Sequence, residues 1–516
     1  MRTVRQLVDA RAATDPHSVF FIAPHTGRSL TFGELRDSCI AVGTMLAMRG
    51  VPAGGHISLV LGNGIQTIRL LLGAMYSGIC VHPVNLLSQP DQMHYVIDHA
   101  DARLIFAAPE WCRRVVSLTA DIARPIDVIE VDPDGTSLPA ENAGVDMGEP
   151  VNPAANALAL LMYTSGTTGK PKGVMLTQAN LAENANTISR EHQLTSADRV
   201  AAVLPLYHIN AFAVTMLAPL AHGGSLVMPP RFSAARFWEI AIEHRCTWLN
   251  VVPTIVSYLL EGEAPASERL KTIRFCRSAS AALPPEHHRA FEAKFGIGIV
   301  ETMGLTETVA PAFSNPIEPE QRKIGSVGQP SGCEARIVDS AGKTLPDGEI
   351  GEILIRGPQV TPGYYKNPEA TAGAFFGDWL RSGDLGYRDA DGFYFVTGRI
   401  KELIIKGGEN IAPREIDEAL LRHPAVLDAA VVGIPDRHYG QDIMACVIVR
   451  SGYQCTEEEL RDFCNRELGR YKTPKLIRFV EDLPRGPSGK VQRLKLAELG
   501  ALGNSGSEPV LQEGTR

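Results

Sequence analysis

The sequence predicts an α/β protein: a large N-terminal part of layered αβ sheets with a small β-barrel-like part, then a small α+β C-terminal lobe. Three observations predict it. Between residues 157 and 252, apolar runs alternate with helical patterns, the rhythm of sheets covered by helices. From about residue 325 the chain breaks into short segments punctuated by Gly and Pro (GSVGQPSG, LPDGEIGE, RGPQVTPGYY), which predict a β-rich subdomain. After residue 401 a compact helix–strand–helix–strand pattern follows. A chain of 516 residues is too long for one core, so the expected boundaries are 1–399, 400–500 and a polar, disordered tail at 501–516.

The elements follow in order. Residues 70–87 are the most apolar long stretch, but Gly73, Gly78, His82 and Pro83 interrupt it and Arg69 abuts it. That predicts a buried helix followed by a loop, not a membrane span. Residues 157–163 (ALALLMY), 199–204 (RVAAVL), 225–228 (SLVM) and 247–252 read as buried strands, and 237–244 (FWEIAIEH) as a helix. In the lobe, 413–423 (PREIDEALLRH) is a helix with Pro413 near its start. Residues 426–434 are a strand, 457–468 a helix and 476–480 a strand.

Composition narrows the function classes. A net charge of -8 leaves no global basic field, so nucleic acid is not an expected partner. The N-terminus carries a charge every few residues and lacks a signal-peptide core, which with the absence of a span predicts a cytoplasmic protein without a membrane partner. Nine scattered cysteines with no CxxC spacing argue against a disulfide framework or zinc site. The oligomeric state stays open, with a homodimer as one candidate.

The chemistry begins at Tyr163–Gly173 (YTSGTTGKPKG), where a predicted strand empties into hydroxyls, glycines and two lysines. Small residues let backbone N–H groups close on phosphate oxygens, and lysines neutralise their charge. It is not a Walker A loop, because Pro171 follows Gly169-Lys170 and no Gly stands five residues before Gly169. This run resembles the phosphate loop of the adenylate-forming superfamily: acyl-CoA synthetases, peptide-synthetase adenylation domains and firefly luciferase. The superfamily's other motifs follow in order over roughly residues 5–495.

The resemblance implies the site. Thr164, Ser165, Gly166, Thr167, Thr168, Gly169, Lys170 and Lys172 match the phosphate loop. Met303-Gly304-Leu305-Thr306-Glu307 matches the nucleotide-holding segment, with Glu307 on Mg2+ beside Thr306. Met303 stands where the family usually stacks a Tyr on adenine. Asp384 matches the Asp that accepts the ribose hydroxyls, Arg399 its assisting Arg, Lys401 the hinge of a mobile lobe, and Gly408 a Gly lining the pantetheine tunnel. Lys490, ending PRGPSGK, matches the Lys that binds the carboxylate and α-phosphate during adenylation, and His208 of PLYH borders the acyl pocket. Further walls are implied at 208–212, 248–253, 276–282 (including Ala281) and Glu301-Thr302-Met303.

The implied reaction is ATP-dependent. An acid's carboxylate attacks the α-phosphorus, pyrophosphate leaves, and coenzyme A then takes the acyl group from AMP. Catalysis is positioning plus charge stabilisation. The expected cofactors are ATP, Mg2+ and coenzyme A. The substrate is expected to be a small or polar acid: sulfonated, betaine-type, short-chain or aryl. Ala279 adds a methyl where the family often has Gly, and Asn210 and Arg277 add polarity. The alternatives are a medium- or long-chain fatty acid–CoA ligase, a stand-alone enzyme loading a carrier protein, and a non-catalytic nucleotide binder.

Overall fold

The computed structural model describes residues 2–137, 151–164, 170–485 and 491–501. The chain divides into two compact units, Met1–Ser382 with Tyr387–Phe395, and Gly383–Gly386 with Val396–Arg516.

The large unit is built on two mostly parallel sheets. One has six strands in the order Asp127–Glu130, Leu104–Ala107, His56–Val60, Cys80–Pro83, Leu158–Thr164 and Lys172–Thr177. Only its last pair is antiparallel. The other has nine strands, whose parallel middle runs Ile299–Met303, Phe275–Ser278, Trp248–Val251, Arg199–Ala202, Ser225–Val227 and Val19–Ala23. Parallel sheets need cover on both faces, which explains why these strands read as continuous apolar runs.

The helix Ile65–Tyr76 is buried at every position but Arg69, whose Nε donates to Ser38 Oγ at 2.8 Å. Leu70, Leu71 and Leu72 each contribute about 1.5–3 kcal/mol of burial. Gly73 is required there: a Cβ would stand 2.5 Å from Val42 Cβ of the crossing helix Phe32–Met48. The expected loop behind this helix is in part a strand, Cys80–Pro83, paired with His56–Val60. Cross-strand pairing, absent from local sequence, overrides the Pro and Gly signals. The Gly/Pro-punctuated region forms a five-stranded sheet of Glu334–Val338, Gly351–Arg356, Trp379–Arg388, Phe375–Phe376 and Tyr394–Arg399.

The small unit carries the five-strand sheet Glu409–Ile411, Ile404–Lys406, Gly440–Val449, Val426–Asp436 and Leu476–Phe479. The helices Pro413–Leu421 and Glu457–Leu468 cover it, with Ile416, Leu420, Leu460 and Cys464 in the core. Thr456 and Glu459 cap the second helix reciprocally, which is why its start was legible. No helix among the described residues is long and apolar enough to cross a membrane. The nine cysteines are free thiols.

Candidate active site

The segment expected to hold phosphate is rooted in an antiparallel pair, with Tyr163 opposite Gly173 and Thr164 opposite Lys172. Tyr163 OH is hydrogen-bonded to His99 Nδ1 at 2.7 Å, which anchors the strand just before the loop. Ser165, Gly166, Thr167, Thr168 and Gly169 lie outside the described residues. Lys170 is exposed, its Nζ 5.5 Å from the Tyr95 ring, and Lys172 Nζ lies 5.0 Å from the Tyr364 ring.

The strand Lys172–Thr177 also grips the segment that faces it. Met175 N donates to Gly363 O (3.1 Å), Tyr365 N to Gly173 O (2.8 Å) and Thr361 Oγ1 to Met175 O (2.6 Å). Asn180, on the helix that follows, donates to Pro358 O and Val360 O. This grip sets Tyr364 between the loop lysine and Glu307. Tyr364 OH donates to Glu307 Oε1 at 2.8 Å, and Thr361 N donates to Glu307 O at 2.7 Å. Burial, reinforced by the Glu307 charge, holds the Tyr364 phenol well above its usual range, so it stays a donor. Glu307 sits in the short 3-10 turn Thr306–Thr308, behind the strand that ends at Met303. Asn184 Nδ2 steadies the turn's exit, lying 2.6–3.2 Å from the carbonyls of Thr308, Val309, Ala310 and Pro311.

Sequence reading missed Tyr364 and Asn184. Tyr364 stood in a segment read only as Gly/Pro punctuation. Asn184 sits in a helix with no local mark, 124–127 residues from the carbonyls it holds.

The second group lies at the carboxyl ends of the nine-stranded sheet. Leu206 N donates to Asn63 Oδ1 and Asn63 Nδ2 to Leu204 O, both at 3.0 Å, which pins the PLYH loop. His208 is half-buried, its ring 4.8 Å from that of Tyr207. A π-helix, Asn210–Leu217, follows; such turns recur at functional sites. Asn210 meets Arg277 from the neighbouring strand at 2.7 Å. Glu301 and Thr302 are buried, and Glu301 Oε1 accepts from Leu283 N at 3.1 Å. Glu301 thus shapes the 278–283 loop that carries half-buried Ala281.

In the small unit, Arg399 Nε donates to buried Asp384 Oδ1 at 2.7 Å. Lys401 is exposed in the turn Ile400–Glu402. Gly408 has φ +90°, and nothing lies within 4 Å of where a Cβ would stand. Lys490 lies outside the described residues.

These features have counterparts among known proteins. The family model described as AMP-binding enzyme matches residues 8–365, and the AMP-binding enzyme C-terminal domain matches 415–490. The chain belongs to the AMP-binding enzyme family. Sulfoacetate–CoA ligase of Cupriavidus necator is 57% identical over 96% of this chain and 97% of that protein. Oxalate–CoA ligase of Arabidopsis thaliana is 34% identical over 91% and 93%. The crystal structure of ATP-bound MatB from Rhodopseudomonas palustris superposes with a TM-score of 0.90 at 30% identity, covering 97% of this chain and 99% of that one. This AMP-binding enzyme is therefore an adenylate-forming carboxylic acid–CoA ligase, with ATP and coenzyme A as co-substrates.

Proposed function

We propose that the acid is a short one bearing a second anionic group, of the sulfoacetate kind. The observation that carries this is the 57% identity to sulfoacetate–CoA ligase, which runs nearly end to end. A buried arginine at the carboxyl ends of the sheet, Arg277, supports it. So does buried Ala279, whose methyl stands where the family resemblance implies a Gly and on this reading shortens the acyl slot.

The residue roles follow from the motifs. The phosphate loop with Lys170 and Lys172 takes the β- and γ-phosphates. Asp384, held by Arg399, takes the ribose. Lys490 holds the reacting carboxylate against the α-phosphate, and Gly408 leaves room for the pantetheine thiol after the lobe turns at Lys401. Glu307 fits a magnesium ion. It is a hard carboxylate, half-exposed and oriented through one oxygen by Tyr364. When bound, the ion neutralises charge on the phosphates.

The substrate test is AMP release with coenzyme A across sulfoacetate, malonate, propionate, benzoate and palmitate. Sulfoacetate or malonate is expected to lead in kcat/KM, and leadership by palmitate would refute the reading. Lys490→Ala is expected to lower ATP–pyrophosphate exchange by roughly 10²–10³-fold, the scale for a lost preorganised charge contact. Thioester formation from supplied acyl-adenylate should largely survive. Equal loss of both half-reactions would remove Lys490 from this role.

A further inference from the structure

Even half-buried arginines that serve the fold are surrounded by acceptors. Arg322 donates to the carbonyls of Pro316, Ile317 and Ile299, and Arg199 donates to Ser225 Oγ and His244 O. Arg277 differs. It is 0% exposed, yet only Nη1 is used, donating to Asn210 Oδ1 and Asn250 Oδ1 at 2.7 Å each. Nε and Nη2 are buried and have no hydrogen-bond partner among the described residues. These two nitrogens form the edge of the guanidinium on which two N–H bonds run parallel, the fork that matches a pair of oxygens on one anion.

Among the described residues, no carboxylate supplies the missing charge. On the sheet, Arg277 lies in register with Asn250 on one side and Val300 on the other, and Asn250 lies opposite Ala202. That cross-strand row carries no acid. Glu301 is one position further along its strand and so faces the other side of the sheet. His192 packs near Phe275 and Trp248 of the same strands, but burial first, and then Arg277 itself, push it down to about 3, so it is neutral. Burial lowers Arg277 to about 9, which leaves it a cation at neutral pH. A buried cation held only by two amides keeps a large desolvation penalty, which an anionic ligand would offset.

The position is right for substrate. The parallel strands Arg199–Ala202, Trp248–Val251, Phe275–Ser278 and Ile299–Met303 end here, and open α/β sheets bind ligands beyond such ends. Asn210 connects Arg277 to the loop after its strand, since Asn210 Nδ2 donates to Ser280 Oγ at 3.1 Å. Ser280 is half-buried and held at φ +75°.

We propose that Arg277 reads the second anionic group of the acid, its Nε–Nη2 edge taking two oxygens of a sulfonate or carboxylate, with Asn210 and Asn250 positioning it. The inference rests on the proposed dianionic acid and names the residue that selects it.

The experiment measures kcat/KM for AMP release with sulfoacetate, malonate and propionate, in the parent, Arg277→Met, Arg277→Lys and Asn210→Asp. In Arg277→Met the sulfoacetate-to-propionate ratio is expected to fall at least about 10²-fold, as when a polar contact built for a substrate group is lost. Arg277→Lys, which keeps charge but not the fork, should fall between. The malonate arm separates a carboxylate from a sulfonate preference. An unchanged ratio with all three acids slowed alike would make Arg277 structural and overturn the proposal. Should Arg277→Met not fold, Asn210→Asp decides. It places a carboxylate against Nη1, so a fall of about tenfold in the ratio supports the proposal and no fall overturns it. A parent enzyme that itself prefers propionate refutes the dianionic-acid reading, a distinct result.

Discussion

Two buried cations, one in each unit, are treated in opposite ways. In the small unit, Lys406 meets Asp442 at 2.6 Å with both side chains under a tenth exposed, and half-buried Arg493 closes on buried Asp417. In the large unit, Arg277 meets amides only. A cation with its carboxylate is spent on holding the fold, and removing either partner strands the other charge. A cation with amides alone keeps its charge for something outside the chain. Burial does not distinguish the two; the partner does.

The largest expected effect tests the closed pair. Lys406→Met leaves Asp442 buried and unpaired and is expected to cost about 3–5 kcal/mol. Hydrogen exchange in the strands Val426–Asp436 and Gly440–Val449 reads it. Arg277→Met strands no carboxylate and should cost no more than about 1–2 kcal/mol. Equal losses at the two sites would erase the contrast.

Acid sharpens it next. Burial pushes His82 and His192 down to about 3 and His222 to about 4 in the folded large unit. The unfolded chain therefore binds more protons below the ordinary histidine pKa of about 6.5. Stability is expected to be full above pH 6.5 and to fall as pH drops toward 3, by about 1.4 kcal/mol per pH unit for each histidine. All four tryptophans, Trp111, Trp238, Trp248 and Trp379, lie in this unit, so urea melts followed by tryptophan fluorescence report it selectively. A flat profile between pH 6.5 and 4 would contradict the burial of these rings.

The smallest effect concerns orientation. Tyr364→Phe removes one hydrogen bond to Glu307 and is expected to lower adenylation about five- to tenfold, with a raised magnesium requirement. Glu307→Gln should raise that requirement further. Unchanged magnesium dependence in both would take this carboxylate out of the metal's reach.

Much of the fold was legible because its signals are local. Helix Glu457–Leu468 begins at a Thr456/Glu459 box, and helix Pro413–Leu421 begins on its proline, so both starts read from neighbouring residues. Apolar runs placed the strands Leu158–Thr164 and Trp248–Val251 within a residue. The strand Cys80–Pro83 was not legible, because its only support is pairing with chain more than 20 residues away.

By itself, the sequence determined the class of fold and reaction. A loop of hydroxyls, glycines and lysines, an MGLTE turn and an SGD…GRIKE run are short segments whose chemistry travels with them. Only the tertiary structure decided which acceptors those charges meet. Arg277 finds Asn210 at a separation of 67 residues and Asn250 at 27, and Tyr364 finds Glu307 at 57. The physical reason is one of range. Caps, turns and periodicity act over three or four residues of chain, whereas a charge buried in a sheet takes its meaning from the strands that happen to lie beside it.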